Sequence, residues 1–175
     1  VKRADRDIRL EALVRANASD VLAYLERRIT PRADAADILS DSLITAWTKS
    51  GSMPTVDAEA RMWLFAIARN TLLNSRRATN RRLAATARLR NELAVSDVAA
   101  DPDESLAVRA AVVSLQPDLR ELVELVHWDG FSVVEAAGIL SLSSSTARSR
   151  YSVAKERLRA ALATADSPAA VRPLT

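Results

Sequence analysis

The side chains in this sequence best equipped for chemistry are cations arranged in blocks. From Arg61 to Arg90 there are eight arginines (61, 69, 76, 77, 81, 82, 88, 90) and no acid, and from Arg148 to Arg159 there are five basic residues against Glu156. Between the blocks, Asn91 to Glu135 holds ten acids against Arg109 and Arg120. Guanidinium groups pair with phosphates by charge and with guanine edges through a bidentate fork, so the chemistry on offer is polyanion binding. Covalent chemistry has little to work with. The chain has no cysteine, which excludes disulfides, thiolate metal sites and cysteine nucleophiles together. Asp34, Asp37 and Asp41 fall on one helical face, but nothing near them supplies a nucleophile, a metal cluster or a phosphate-cradling glycine loop. His127 is the one histidine and sits beside Trp128, a structural setting more than a catalytic one. Neither a metal nor a cofactor is expected, and an enzyme is disfavoured.

The elements that must position these cations are helices. Alanine, leucine and arginine dominate, β-branched alternation is scarce and only three glycines occur, which predicts an all-α fold. A chain of 175 residues, 49% apolar and 27% charged, can build two small helical domains. Segments 5–17 and 19–29 are expected as two short helices, the second capped by Ser19 with Val21, Leu22 and Leu25 on one face. After Pro31 a longer helix is expected over about 33–50. Its apolar stripe would be Leu39, Leu43, Ala46 and Trp47, and Gly51 would stand at its C′ position. Residues 51–56, with Met53, Pro54 and Thr55, form a loop. A fourth helix runs from about Asp57 to at least Arg77, with Trp63, Leu64, Ile67, Ala68 and Leu72 buried.

Residues 91–104, small, acidic and containing Pro102, are expected to be a linker. Helices follow near 105–113 and 117–127, the second opened by Pro117. Ser132-Val133-Val134-Glu135 then has the S-x-x-E form of a capping box and opens a short helix through Leu140. Ser141 to Ser143 supply a turn into a second helix over about 144–162. Its inner face holds Ala147, Tyr151, Ala154, Leu158 and Leu162; its outer face holds Ser145, Arg148, Ser149, Ser152 and Lys155. Short helix, turn and basic second helix make a helix-turn-helix, whose second helix can enter a major groove.

Each feature also has a plainer meaning. A basic helix face can be merely solvated, but the capping box and the turn tip the balance for 144–162 toward DNA contact. The acid-free stretch 61–90 can track a phosphate backbone, with Asn70 and Asn74 for hydrogen bonds, or simply be solvated. Trp63 and Phe65 can stack on bases or pack in the core, and Trp47 lies on an apolar stripe, where packing is expected. The acidic stripe can be a solvated face or can meet a basic partner. No apolar run reaches the length of a membrane span, so no membrane insertion is expected, and the charged start does not resemble a signal peptide; the cytoplasm is the expected compartment.

The two halves together resemble extracytoplasmic-function sigma factors of the sigma-70 family over roughly residues 8–163. DAADILSDSLITAW (34–47) is similar to the family's region 2.2, and AEARMWLFAIARNTLLNSRR (58–77) to regions 2.3 and 2.4. LQPDLRELVELVHWDGFSVVEAAGIL with STARSRYSVAKERLRAAL is similar to region 4. The resemblance implies a region 2 bundle over 5–90, a linker over 91–104, a region 4 helix-turn-helix over 105–163 and a disordered tail over 164–175. It implies that Asp34, Asp37 and Asp41 dock on the β′ clamp helices of core RNA polymerase, with region 4 meeting the β flap. Met53, Thr55, Arg69, Asn70, Asn74, Arg76 and Arg77 would handle the melted -10 element of promoter DNA. Ser144, Ser145, Thr146, Arg148, Ser149, Ser152 and Lys155 would read the -35 element. The linker would thread the polymerase cleft, and an anti-sigma factor is an expected partner.

Three departures bear on specificity: Ser145 where the family has glycine, Val153 where it often has a basic residue, and Ser40-Asp41 where it has a Gln-Glu pair. Two other functions compete. A free-standing helix-turn-helix repressor or response-regulator output domain leaves the arginine-rich 61–90 segment and the tryptophan-bearing helices unexplained. A helical adaptor with no nucleic-acid role predicts no ordered pair of basic blocks.

Overall fold

A computed structural model of the chain describes residues 3–87 and 106–165, with side chains over 4–81 and 107–164. The segments read above as linker (91–104) and most of the tail (166–175) lie outside the described residues. Among the described residues every regular element is helical: α1 (Arg3–Glu26), α2 (Asp34–Thr48), a 3-10 turn (Ser50–Ser52), α3 (Asp57–Ala87), α4 (Leu106–Ser114), α5 (Pro117–His127), α6 (Val133–Leu140) and α7 (Ser144–Ala165). They fall into two compact units, one within residues 1–99 and one within 100–175.

In the first unit α1, α2 and α3 pack pairwise, with the 3-10 turn resting on α1 and α2. Leu10, Val21, Tyr24, Leu25, Leu64, Phe65 and Ala68 are fully buried, and the Tyr24 and Phe65 rings meet edge-on with centroids 5.5 Å apart. Phe65 is thereby core and is not available to stack on a base. Three expectations are corrected here. The first is that α1 is one helix, not two. Asn17 does not break it, because the amide folds back to donate to the Leu13 carbonyl at 2.8 Å, while its oxygen accepts from Arg61 Nε at 3.0 Å; Ser19 lies exposed inside the helix and caps nothing.

The second correction concerns the buried side of α2, which is Ala35, Ile38, Ser42 and Ala46. Alanine and serine let the backbones approach closely, and Ser42 satisfies its hydroxyl on the Ile38 carbonyl at 2.6 Å. That phase leaves Leu39 and Leu43 half-buried and turns Trp47 outward, 50% exposed, beside Ile44 at 65%. The third concerns Gly51, which is not a C′ residue; α2 stops at Thr48, and the chain continues into the 3-10 turn that contains it.

The second unit places α7 against α4, α5 and α6. Pro117 occupies the first turn of α5, where its missing N–H costs nothing. The helix is closed by the Phe131 amide donating to the Leu125 carbonyl at 3.0 Å, with Gly130 at φ +71° supplying the left-handed residue between. Phe131 itself is buried. Leu115, Leu119, Val123 and Ala154 form one core cluster, with Trp128 and Leu158 packed on it.

Candidate nucleic-acid interface

The helix-turn-helix is assembled from local signals. Ser132 Oγ accepts from the Glu135 amide at 3.2 Å, and the Glu135 carboxylate accepts from the Ser132 amide at 2.7 Å, closing the capping box reciprocally. At the other end of α6 the Leu142 amide donates to the Ala137 carbonyl at 2.8 Å. Ser141 sits between in the left-handed region at φ 56°. Ser143 caps α7, its Oγ accepting from the Thr146 amide at 3.1 Å and lying 3.0 Å and 2.8 Å from the hydroxyls of Ser145 and Thr146. Serine at 145 thus joins a hydroxyl cluster at the helix entry.

Ala147 and Ala154 are fully buried and Tyr151, Leu158 and Leu162 half-buried, which orients α7. Its other side presents Ser145, Thr146, Arg148, Ser149, Ser152 and Lys155, all exposed, and Ser144 half-buried. Val153 is exposed among them at 38%. The arrangement offers a guanidinium, several hydroxyls and one apolar surface along one side of one helix, groups suited to base edges, phosphates and a thymine methyl. The neighbouring cation is committed elsewhere: Arg150 pairs with Asp118 on α5 at 3.1 Å.

In the first unit α3 carries Asn70, Asn74, Arg76, Arg77 and Arg81 exposed and Arg69 half-buried. Not every arginine of the block is equally available. Arg61 donates to Asn17 and, at 3.2 Å, to Asp20, and so fastens α3 to α1. Arg76 donates to the Arg28 carbonyl just past the end of α1, and Arg77 reaches the Asn74 oxygen at 3.4 Å. Met53 is 8% exposed and faces a groove of about 400 Å³ that Leu13 and Ala16 of α1 help to line. Met53 thus lines the groove beneath the loop, and Gly51, Ser52, Thr55 and Val56 are what the loop exposes.

Asp34, Asp37 and Asp41 are exposed on α2, and the same helix exposes Ile44 and Trp47. Reading Trp47 as core hid this combination of acidic and apolar groups. Among the described residues no helix is long and apolar enough to cross a membrane, and no cluster of potential metal ligands occurs.

Comparison with known proteins agrees with this division. Residues 13–82 match the family model described as sigma-70 region 2, and residues 105–158 match that of sigma-70 region 4. The chain is 30% identical to the ECF RNA polymerase sigma factor SigC of Mycobacterium tuberculosis, covering 86% of this chain and 82% of the relative. It is 26% identical to SigL of the same species, covering 87% and 88%. Among solved structures, the sigma factor RpoE of Bartonella quintana, in complex with the anti-sigma factor NepR, aligns over 93% of this chain and 99% of its own with a TM-score of 0.68 at 26% identity. CnrH, in complex with the cytosolic domain of CnrY, aligns with a TM-score of 0.60 at 25% identity, over 90% and 89%.

Proposed function

Since the chain belongs to the extracytoplasmic-function sigma factors of the sigma-70 family, we propose that its two units divide promoter recognition between an exposed helix face for the -35 duplex and a loop and helix for the melted -10 strand. It is an RNA polymerase sigma factor, acting in transcription initiation. The observation that carries the proposed division is the doubly capped helix-turn-helix. Ser132, Glu135 and Ser143 fix the two helices locally, and α7 then displays Arg148, Ser149, Ser152 and Lys155 on its free side.

Arg148 is assigned to base edges, with Ser144, Ser145, Thr146, Ser149, Ser152 and Lys155 contacting neighbouring bases and phosphates of the -35 element. Thr55, Asn70 and Asn74 are assigned to unpaired bases of the -10 element, with Arg69, Arg76 and Arg77 along its backbone. Asp34, Asp37 and Asp41 meet the β′ clamp helices, and the exposure of Ile44 and Trp47 extends that interface with apolar surface. Region 4 meets the β flap, and the acidic segment 91–104 occupies the polymerase cleft. The protein takes no catalytic step of its own; the phosphodiester chemistry is the polymerase's, in the cytoplasm. An anti-sigma protein is a further partner, as in the complex of RpoE with NepR. Run-off transcription tests the reading: core polymerase with this chain should start at a defined site on DNA that core alone does not use. Tight sequence-specific binding by the free chain, with no initiation, would replace it by a repressor.

A further inference from the structure

We propose that Arg9 is a positioning residue for the -10 loop, holding it from α1 in the conformation that presents Thr55 and Val56 to an unpaired base. The inference rests on the assignment of that loop to the -10 element made above. Arg9 Nη2 donates to two successive backbone carbonyls, those of Pro54 and Thr55, each at 3.0 Å and across 45 and 46 residues of chain. Successive carbonyls of an extended strand face opposite ways, so their convergence on one nitrogen requires a turned segment, and the chain does bend at Thr55 and Val56. One guanidinium nitrogen carries two N–H groups and no acceptor, which suits it to hold two carbonyls at once.

The rest of the loop is held independently. Met53 is buried beneath it, and the Ser52 and Met53 amides donate to Lys49 and Ser50 at 2.8 and 3.2 Å. On the far side the Ala60 amide donates to the Val56 carbonyl at 2.9 Å, at the entry to α3. Between these ends lie the Pro54 and Thr55 carbonyls, and Arg9 bonds both. Two charge-assisted bonds, partly shielded by the groove that Arg9 lines with Met53 and Asp57, are enough to favour one loop conformer over its alternatives. A loop ordered before binding spends less affinity on being ordered by its ligand. Arg9 therefore acts on base choice without touching the base.

The test uses holoenzyme reconstituted from core RNA polymerase and either wild-type chain or Arg9→Met, which keeps an apolar stem and removes both donations. Each is equilibrated with a randomised pool of single-stranded DNA, and the bound fraction is sequenced. For wild type a base preference is expected in the retained strands. For Arg9→Met the preference at one or two positions should flatten and the affinity for the preferred strand fall about tenfold. Affinity for core polymerase and the salt dependence of strand binding should stay at wild-type values. Preserved base preference overturns the proposal. So does a salt slope lowered by about one with preference intact, which marks a direct phosphate contact, and so does a joint loss of core binding and helicity, which makes Arg9 a folding residue. A wild-type holoenzyme with no base preference would remove the -10 assignment itself, a different outcome from a preference that Arg9→Met fails to change.

Discussion

The hydroxyl of Tyr151, midway along α7, lies 2.8 Å from Nε2 of His127, the last residue of α5, and the two rings stack with centroids 6.0 Å apart and planes inclined by 24°. Lys155 places its ammonium 5.1 Å from the centre of the Tyr151 ring. The adjacent residue, Arg150, reaches the other end of α5, pairing with Asp118 in its first turn. Neighbouring residues of α7 thus bond both ends of α5, so the helix assigned to the -35 element is held against its support by contacts lateral to its DNA-facing side.

Tyr151→Phe keeps the ring and its contact with Lys155 and removes only the hydrogen bond to His127. Because both groups can bond water when parted, a loss of about 0.5–1 kcal/mol in the second unit is expected. Amide hydrogen exchange of α5 and α7 in the full chain should show the change, and α1–α3 should not.

Asp118→Asn releases Arg150. The pair is 38% and 52% exposed, so its loss should change stability by less than about 1 kcal/mol. Binding of the holoenzyme to DNA of unrelated sequence should become tighter, with a steeper salt dependence by about one counterion, if the freed guanidinium finds a phosphate. An unchanged slope would show that Arg150 points away from the duplex even when free.

Ser141 bears the left-handed conformation that closes α6, at φ 56°, where an L side chain costs roughly 1–2 kcal/mol and glycine almost nothing. Ser141→Gly also loosens the unfolded chain, which offsets part of the gain. A net stabilisation of about 0.5–1 kcal/mol is expected, and Ser141→Val should destabilise by more than that. Hydrogen exchange of α6 measures both.

Local signals survived folding in the second unit, whereas in the first the Ser19 cap and the Gly51 C′ residue did not. The Ser132–Glu135 box, Pro117 at the start of α5 and the inner face of α7 depend on neighbours within a turn or two, and the structure places them as their spacing predicts. The phase of α2 depends instead on what packs against it. Ser42 and Ala46 win the interface because they are small, and the larger Leu39, Leu43 and Trp47 are displaced toward the rim. A hydrophobicity count favours the larger side chains, and so placed Ala46 correctly but overestimated the burial of Leu39 and Leu43 and turned Trp47 inward. The continuity of α1 was hidden by Ser19, a residue type common at N-caps that here lies exposed inside the helix, two residues after Asn17, which is tied to the Leu13 carbonyl and to Arg61, 44 residues away. Met53 gave no signal of burial, because the groove beneath it is made by α1 and the start of α3 together.

The exposure of Trp47 and Ile44 makes the proposed polymerase interface testable apart from folding. Trp47→Ala should leave helicity and thermal stability near wild type, since half of the side chain is already in water, and should weaken binding to core polymerase by about 2 kcal/mol. Charge reversal at Asp37 and Asp41 should weaken it as well, through loss of complementary potential, and should do so less at high salt. Unaltered core affinity in both variants would return α2 to an ordinary solvated helix.

The two proposed DNA surfaces differ in physics and can be separated by one template. Arg148→Ala removes an exposed guanidinium from the free side of α7. It should cost on the order of 1–3 kcal/mol at one or two positions of the -35 element, relax the preference there and leave duplex opening nearly intact. Asn70→Ala removes an exposed amide from α3 in the other unit. It should spare -35 binding and reduce the yield of open complex. A promoter already unpaired across the -10 segment then distinguishes two roles for Asn70. Restored activity means that the amide chiefly helps to separate the strands, because the template has supplied the separation. Persistent loss means that it holds the strand once separated. Permanganate reactivity of unpaired thymines reports opening, and competition against single-base variants reports -35 preference. Wild-type opening with Asn70→Ala, together with uniform weakening on every sequence with Arg148→Ala, would assign neither residue its role: the first would be a bystander on α3, and the second a phosphate contact that carries affinity without sequence.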